Sequence, residues 1–222
     1  MLRRKIELCM TLLLLLGMII VSRKLSQLVT SENVQAGKDI VVIDAGHGGH
    51  DPGKVGANDA LEKDINLQIA QKVKTYLEKN GIQVIMTREE DAMEDTKLED
   101  MKKRVALINE IKPAITVSIH QNSYSDASVK GAQVFYYAGS EVSKGAASLM
   151  QEEMRKVDTE NTRQIKSNSD FYMLKKTEVP TIIVECGFLS NPGEAEKLTS
   201  EEYQEEMAQA ICSGIMTWLS GN

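Results

Sequence analysis

Ile40-Val41-Val42-Ile43 runs directly into Asp44-Ala45-Gly46-His47-Gly48-Gly49-His50-Asp51-Pro52-Gly53-Lys54, and that passage decides the fold. An uncharged, β-branched run has the make-up of a buried strand, and the glycine-rich stretch after it is a turn at the strand's carboxyl end. The same apolar signature returns at Ile82 to Met86, Ile115 to Ile119, Val134 to Tyr137 and Thr181 to Val184. Helical periodicity falls between these runs. Asp64 to Lys79 sets Ile65, Ile69, Val73 and Leu77 on one stripe and stops at Asn80-Gly81. Met101 to Ile111 carries Met101, Val105 and Ile108 and ends before Pro113; Val142 to Val157 and Tyr203 to Leu219 are two more helices. The alternation predicts one α/β domain over residues 39–222, a mostly parallel central sheet with helices on both faces. In such a sheet chemistry gathers at the carboxyl ends of the strands. The acid-rich stretch Glu89 to Asp100 reads as a solvated loop and helix start.

The 222 residues carry 26 Lys+Arg against 32 Asp+Glu, a formal charge of −6. The charge is unevenly placed. Arg3, Arg4 and Lys5 precede an uncharged stretch from Leu8 to Ser22, closed by Arg23 and Lys24. At 1.5 Å per residue that stretch reaches roughly 22 Å, short of a ~30 Å hydrocarbon core, so residues 1–24 read as a signal peptide or short membrane anchor. The basic leader predicts export, with the remainder facing the outside of the cytoplasmic membrane. Residues 25–38 read as a polar linker. Without them the domain holds 20 basic and 30 acidic residues, which argues against a nucleic-acid partner. Cys186 and Cys212 could pair only with each other, too few for a disulfide framework.

The turn after the first strand invites two interpretations. Gly48, Gly53 and Lys54 fit a phosphate loop, but Val55 stands where a Ser or Thr must hold magnesium, Asp51 would repel phosphate and Pro52 removes an amide donor. A metal site is the better fit. His47 follows one strand, His120 ends another, and Glu62 opens the first helix, so two imidazoles and a carboxylate meet at one edge of the sheet, as in a catalytic zinc site with an open fourth position. A lone histidine after a strand is more often a satisfied polar residue; two at the same rim are less easily explained so. His50 competes with His47 and reads better as an exposed loop residue.

With these residues in view, the sequence resembles the zinc-dependent N-acetylmuramoyl-L-alanine amidases of type 3, which cut bacterial peptidoglycan. Four stretches match in order: Val42 to Gly49 with Asp51-Pro52-Gly53, Glu62-Lys63-Asp64, Ser118-Ile119-His120 with Asn122, and Pro180 through Glu185 to Gly187-Phe188-Leu189-Ser190-Asn191. Thr87-Arg88 and Arg104 also fall where that family has such residues. The resemblance implies one Zn2+ per chain held by His47, Glu62 and His120, with Glu185 as the catalytic carboxylate. Independently of it, an acid ending so apolar a strand would be costly unless used or paired with a base such as Arg88 or Lys63. Asp44 is a candidate acceptor orienting a ligand histidine, and Asn122 a candidate substrate contact. Gln121, where a small residue is common, and Cys186 beside the acid are departures; Cys186 offers a site of oxidation.

The resemblance implies hydrolysis of the amide between muramic acid and L-alanine in peptidoglycan. The compact layout with a membrane-directed leader is most like the spore-cortex, germination-specific amidases, with targeting left to the leader or to an accessory protein or lipoprotein. A general cell-wall amidase of growth or division could be equally short. Two rival classes stand beside these: a zinc carboxypeptidase, which would need an arginine such as Arg88 or Arg104 to clamp a terminal carboxylate, and a non-enzymatic wall-binding module, which would be expected to lack one of the four metal or acid positions.

Overall fold

The computed structural model describes residues 40–92 and 94–221. The expected leader at 1–24 and linker at 25–38 lie outside the described residues; among the described residues no helix is long and apolar enough to cross a membrane. In chain order the elements are β1 (Ile40–Ala45), α1 (Glu62–Lys79), β2 (Gln83–Met86), α2 (Lys97–Ile111), β3 (Ile115–Asn122), β4 (Gln133–Tyr137), α3 (Glu141–Val157), β5 (Lys166–Asn168), α4 (Tyr172–Lys176), β6 (Thr181–Phe188), α5 (Pro192–Thr199) and α6 (Glu201–Ser220). The strands form one sheet in the order β2-β1-β3-β6-β4-β5. All neighbours are parallel except β4 and β6, which are antiparallel.

Side chains alternate across a strand, and the alternation sorts this sheet into two unlike faces. Val41, Ile43 and Ala45 of β1, Ile115, Val117 and Ile119 of β3, and Ile182, Val184 and Cys186 of β6 join the main core with α1, α3 and α6. The opposite face is thinner. There Val42 packs with Val105 and Ile108 of α2 and Met173 of α4, and Phe135 and Ile183 pack with Leu174. By the same alternation Asp44, Ser118, His120 and Glu185 fall on the thin face, at the carboxyl ends of the three central parallel strands. Asp44 is registered with Ser118 and His120 with Glu185.

The helices begin where local caps place them. Thr96 accepts from Glu99 N–H while its hydroxyl donates to the Glu99 carboxylate, a reciprocal cap that starts α2 four residues before the apolar stripe at Met101. Ser140 and Ser200 cap α3 and α6 in the same sense. At the far end of α1, Gly81 takes a φ of 77°, a left-handed turn that ends the helix as its sequence implied.

Candidate active site

The turn after β1 is bent so that His47 faces into a cleft. His47 has a φ of 63°, and Gly48 and Asp51 exchange both backbone hydrogen bonds to close the loop. Two glycines here are required by close approach. A Cβ on Gly46 would lie 2.2 Å from the His120 ring, and one on Gly53 would lie 2.6 Å from Oε2 of Glu62.

His47, Glu62 and His120 converge. One potential ligand atom from each falls within 4.8 Å of the others. Nε2 of His47 and Nδ1 of His120 lie 3.2 and 2.9 Å from the same Glu62 oxygen, Oε1, and the imidazoles meet edge to face with centroids 5.0 Å apart. Hydrogen bonds from behind orient His47 and Glu62. Asp51 Oδ2 lies 2.8 Å from Nδ1 of His47; burial opposes ionisation of Asp51, but Lys97 and His47 hold its carboxyl below the usual range, so it accepts the Nδ1 proton and leaves Nε2 with a lone pair. Glu62 is nearly buried and is itself held from behind, Oε2 accepting from Lys54 N at 2.8 Å and Oε1 from Gln121 N at 3.1 Å. Burial would raise its pKa, but the hydrogen bonds and charges of His120 and His47 hold it well below the ordinary value. A carboxylate oxygen and an imidazole lone pair at 3.2 Å repel unless a cation or proton lies between them. A two-imidazole, one-carboxylate donor set oriented in this way fits a zinc ion.

Glu185 stands across from this trio on the next strand, in register with His120. It is buried, and its Oε2 has no hydrogen-bond partner. Burial pushes its pKa up to about 7, with His120 working against the rise and Glu62 adding to it. Neither Arg88 nor Lys63 pairs with it: Arg88 donates to the carbonyls of Ala45, Gly46, Lys63 and Glu90, and Lys63 binds Asp91 and the Gly49 carbonyl. The cleft in front has a volume of about 450 Å³, and Met101, Phe171, Tyr172 and Met173 make one wall of it apolar.

Three expectations need correction or refinement. Asp44 orients no histidine; its carboxylate accepts from Thr87, Ser118 and Arg104, the last at 2.8 Å, and the acceptor behind His47 is Asp51. Asp51 stands four residues after His47 in a two-glycine turn, and the closure of that turn brings the two together. Cys186 points away from the cleft into the main core, fully buried. Burial and then the charge of Glu185 raise its thiol far above the ordinary value, so it is not an oxidation-prone thiolate. Cys186 and Cys212 are both free. Asn122 lines the cleft, but a register shift separates it from His120, and its Oδ1 accepts from Ser123 N at 2.8 Å. His50 is exposed.

A family model described as N-acetylmuramoyl-L-alanine amidase matches residues 41–217, which include every residue of this cleft. The chain belongs to that amidase family. The germination-specific N-acetylmuramoyl-L-alanine amidase of Bacillus subtilis is 38% identical over 190 residues, covering 82% of this chain and 80% of the relative. Among solved structures, the amidase CwlD of Clostridioides difficile, determined in complex with the GerS lipoprotein, is 38% identical with a TM-score of 0.79 and covers 82% of this chain and 99% of that one. The catalytic domain of CwlV from Bacillus (Paenibacillus) polymyxa is 32% identical with a TM-score of 0.75, covering 82% and 99%. The protein is therefore a peptidoglycan amidase with a mostly parallel α/β fold. An arginine clamp for a peptide carboxylate, which a carboxypeptidase would need, has no candidate in Arg88 or Arg104, since both are buried and donate to the fold itself.

Proposed function

We propose that this amidase is zinc-dependent, with His47, Glu62 and His120 as ligands and Glu185 as general base, and that it trims spore-cortex peptidoglycan. The convergence of three donors, two of them held from behind, beside an unpartnered, uncharged-leaning carboxyl is the observation that carries this reading. A zinc ion held there would polarise the scissile carbonyl and lower the pKa of a bound water toward ~7. Glu185 takes a proton from the attacking water and returns it to the departing L-alanine nitrogen, a double use that suits a carboxyl with a pKa displaced toward neutrality. The apolar wall of Met101, Phe171 and Tyr172 restricts water on one side of the reacting bond. Asn122, at the cleft edge, contacts the substrate.

The cortex assignment is supported by the likeness to the germination-specific enzyme of Bacillus subtilis. By analogy with the Clostridioides difficile neighbour, whose structure contains a lipoprotein, an accessory lipoprotein serves this chain as well. Residues 1–24 carry the enzyme across the cytoplasmic membrane and tether it there or are removed, leaving the domain facing the wall or the space between forespore membranes. Digestion of intact peptidoglycan with and without a chelator, followed by mass spectrometry, tests the chemistry. Peptide-free muramic acid appearing only with zinc supports it; shortened peptides still joined to glycan, or chelator-resistant release, refute it. Removal of the stem peptide in this way prepares muramic acid for lactam formation in the cortex, so cortex that keeps its muramic-lactam after disruption of the gene would refute the cortex role.

A further inference from the structure

Asn66 is fully buried one turn after Glu62 on α1, yet it is polar in a helix face otherwise filled by Ile65, Ile69 and Val73. Its amide reaches all three ligand-bearing segments. Nδ2 donates to the Gly46 carbonyl at 3.0 Å and lies 3.4 Å from Oε1 of Glu62, while Oδ1 accepts from Nε2 of Gln121 at 3.1 Å. Gly46 immediately precedes His47, and Gln121 immediately follows His120. Gln121 is buried too, and its own backbone N–H donates to Oε1 of Glu62. The donors and acceptor of Asn66 have one consistent assignment: two carbonyl-type acceptors on the Nδ2 side and one amide donor on the Oδ1 side. A buried amide is costly to keep among aliphatic neighbours unless it is satisfied; for Asn66 the satisfaction comes from the metal-binding segments, whereas Oε1 of Gln121 has no hydrogen-bond partner.

We propose that Asn66, braced by Gln121, is a positioning residue that sets the separation of His47, Glu62 and His120 and thereby the affinity of the site for its metal. The inference rests on the metal-site reading above. It separates two jobs that one hydrogen-bond network could do, since a purely stabilising role would change unfolding but not the metal dissociation constant of the folded protein. Asn66→Asp keeps the shape and turns acceptors toward the Gly46 carbonyl and Glu62; Gln121→Met keeps the length and the backbone donor but leaves Asn66 Oδ1 without its partner. Gln151→Met is the control, removing from α3 a comparably buried amide that accepts from Val134 N and donates to the Ala132 carbonyl.

The experiment measures zinc dissociation constants of the full chain by competition with a chromophoric chelator, alongside urea unfolding of the metal-free form. Asn66→Asp and Gln121→Met are expected to weaken zinc binding by about 10- to 100-fold, with Gln151→Met at the wild-type constant whatever its stability. Where Asn66→Asp does not fold, Gln121→Met decides. Wild-type affinity in the folded Asn66 and Gln121 variants, or an equal loss in the Gln151 variant, overturns the proposal. A wild-type chain that binds no zinc overturns the metal-site reading beneath it instead.

Discussion

At the scale of single residues, the site depends on groups that hold other groups still. Arg104 is the clearest case: it is buried and donates to Asp44, Asp100 and the carbonyls of Ala45 and His47, gripping the ligand turn from below. Burial works to raise the pKa of Asp44, but the Arg104 charge and the Ser118 and Thr87 hydroxyls bring it from 3.8 down to about 2. A depressed carboxyl stabilises the fold fully above its unfolded pKa and loses that contribution as pH falls through the folded one. Urea unfolding of the metal-free protein should therefore show a loss of stability between pH about 4 and 2, and Asp44→Asn should flatten that limb. The same variant should cost about 2 kcal/mol at neutral pH, since Arg104 loses one of its two carboxylate partners and keeps Asp100. A steep limb that persists unchanged in Asp44→Asn would assign the acid sensitivity elsewhere. Gly46→Ala is expected to abolish zinc binding while the domain still folds, because the new methyl occupies the place of the His120 ring; undiminished zinc by elemental analysis would contradict this.

At the scale of elements, the sheet delivers the chemistry and the caps set where helices start. Thr96→Ala removes the reciprocal cap of α2 and should cost about 1 kcal/mol in urea unfolding, while a loss within a few tenths would show that the cap contributes little. The ladder of elements also explains what could be read ahead of the structure. The five apolar runs and four helical stripes were legible because burial on one or two faces imposes composition and period. The three-residue β5, the five-residue α4 and the eight-residue α5 were not, since so few residues carry no period. Nor could the antiparallel entry of β4 beside β6 be seen, because pairing direction leaves no mark on a short apolar run. The first residue of α2, Lys97, falls inside the acid-rich stretch read as a loop and helix start, where no apolar period marks the first turn. That His47, Glu62 and His120 converge, with Glu185 on the next strand in register with His120, was legible through their motifs. Asp51 and Asn66 lay within or beside those same motifs, but their partners are fixed by the folded turn and by helix–strand packing.

At the scale of the whole molecule, a two-faced sheet separates stability from reaction. The thick face, with α1, α3 and α6, buries the aliphatic side of every central strand, and the thin face leaves room for a cleft at the carboxyl edge. The alternation of side chains along β1, β3 and β6 puts Asp44, His120 and Glu185 on the thin side, so one pleat serves both purposes. In the proposed function Glu185 acts on a proton and not as a metal ligand or fold support. Release of peptide from purified peptidoglycan by Glu185→Gln, loaded with zinc, tests it most directly. The variant is expected to hold one zinc per chain while turnover falls by about 10²- to 10⁴-fold; near-wild-type turnover with zinc bound is the contrary result.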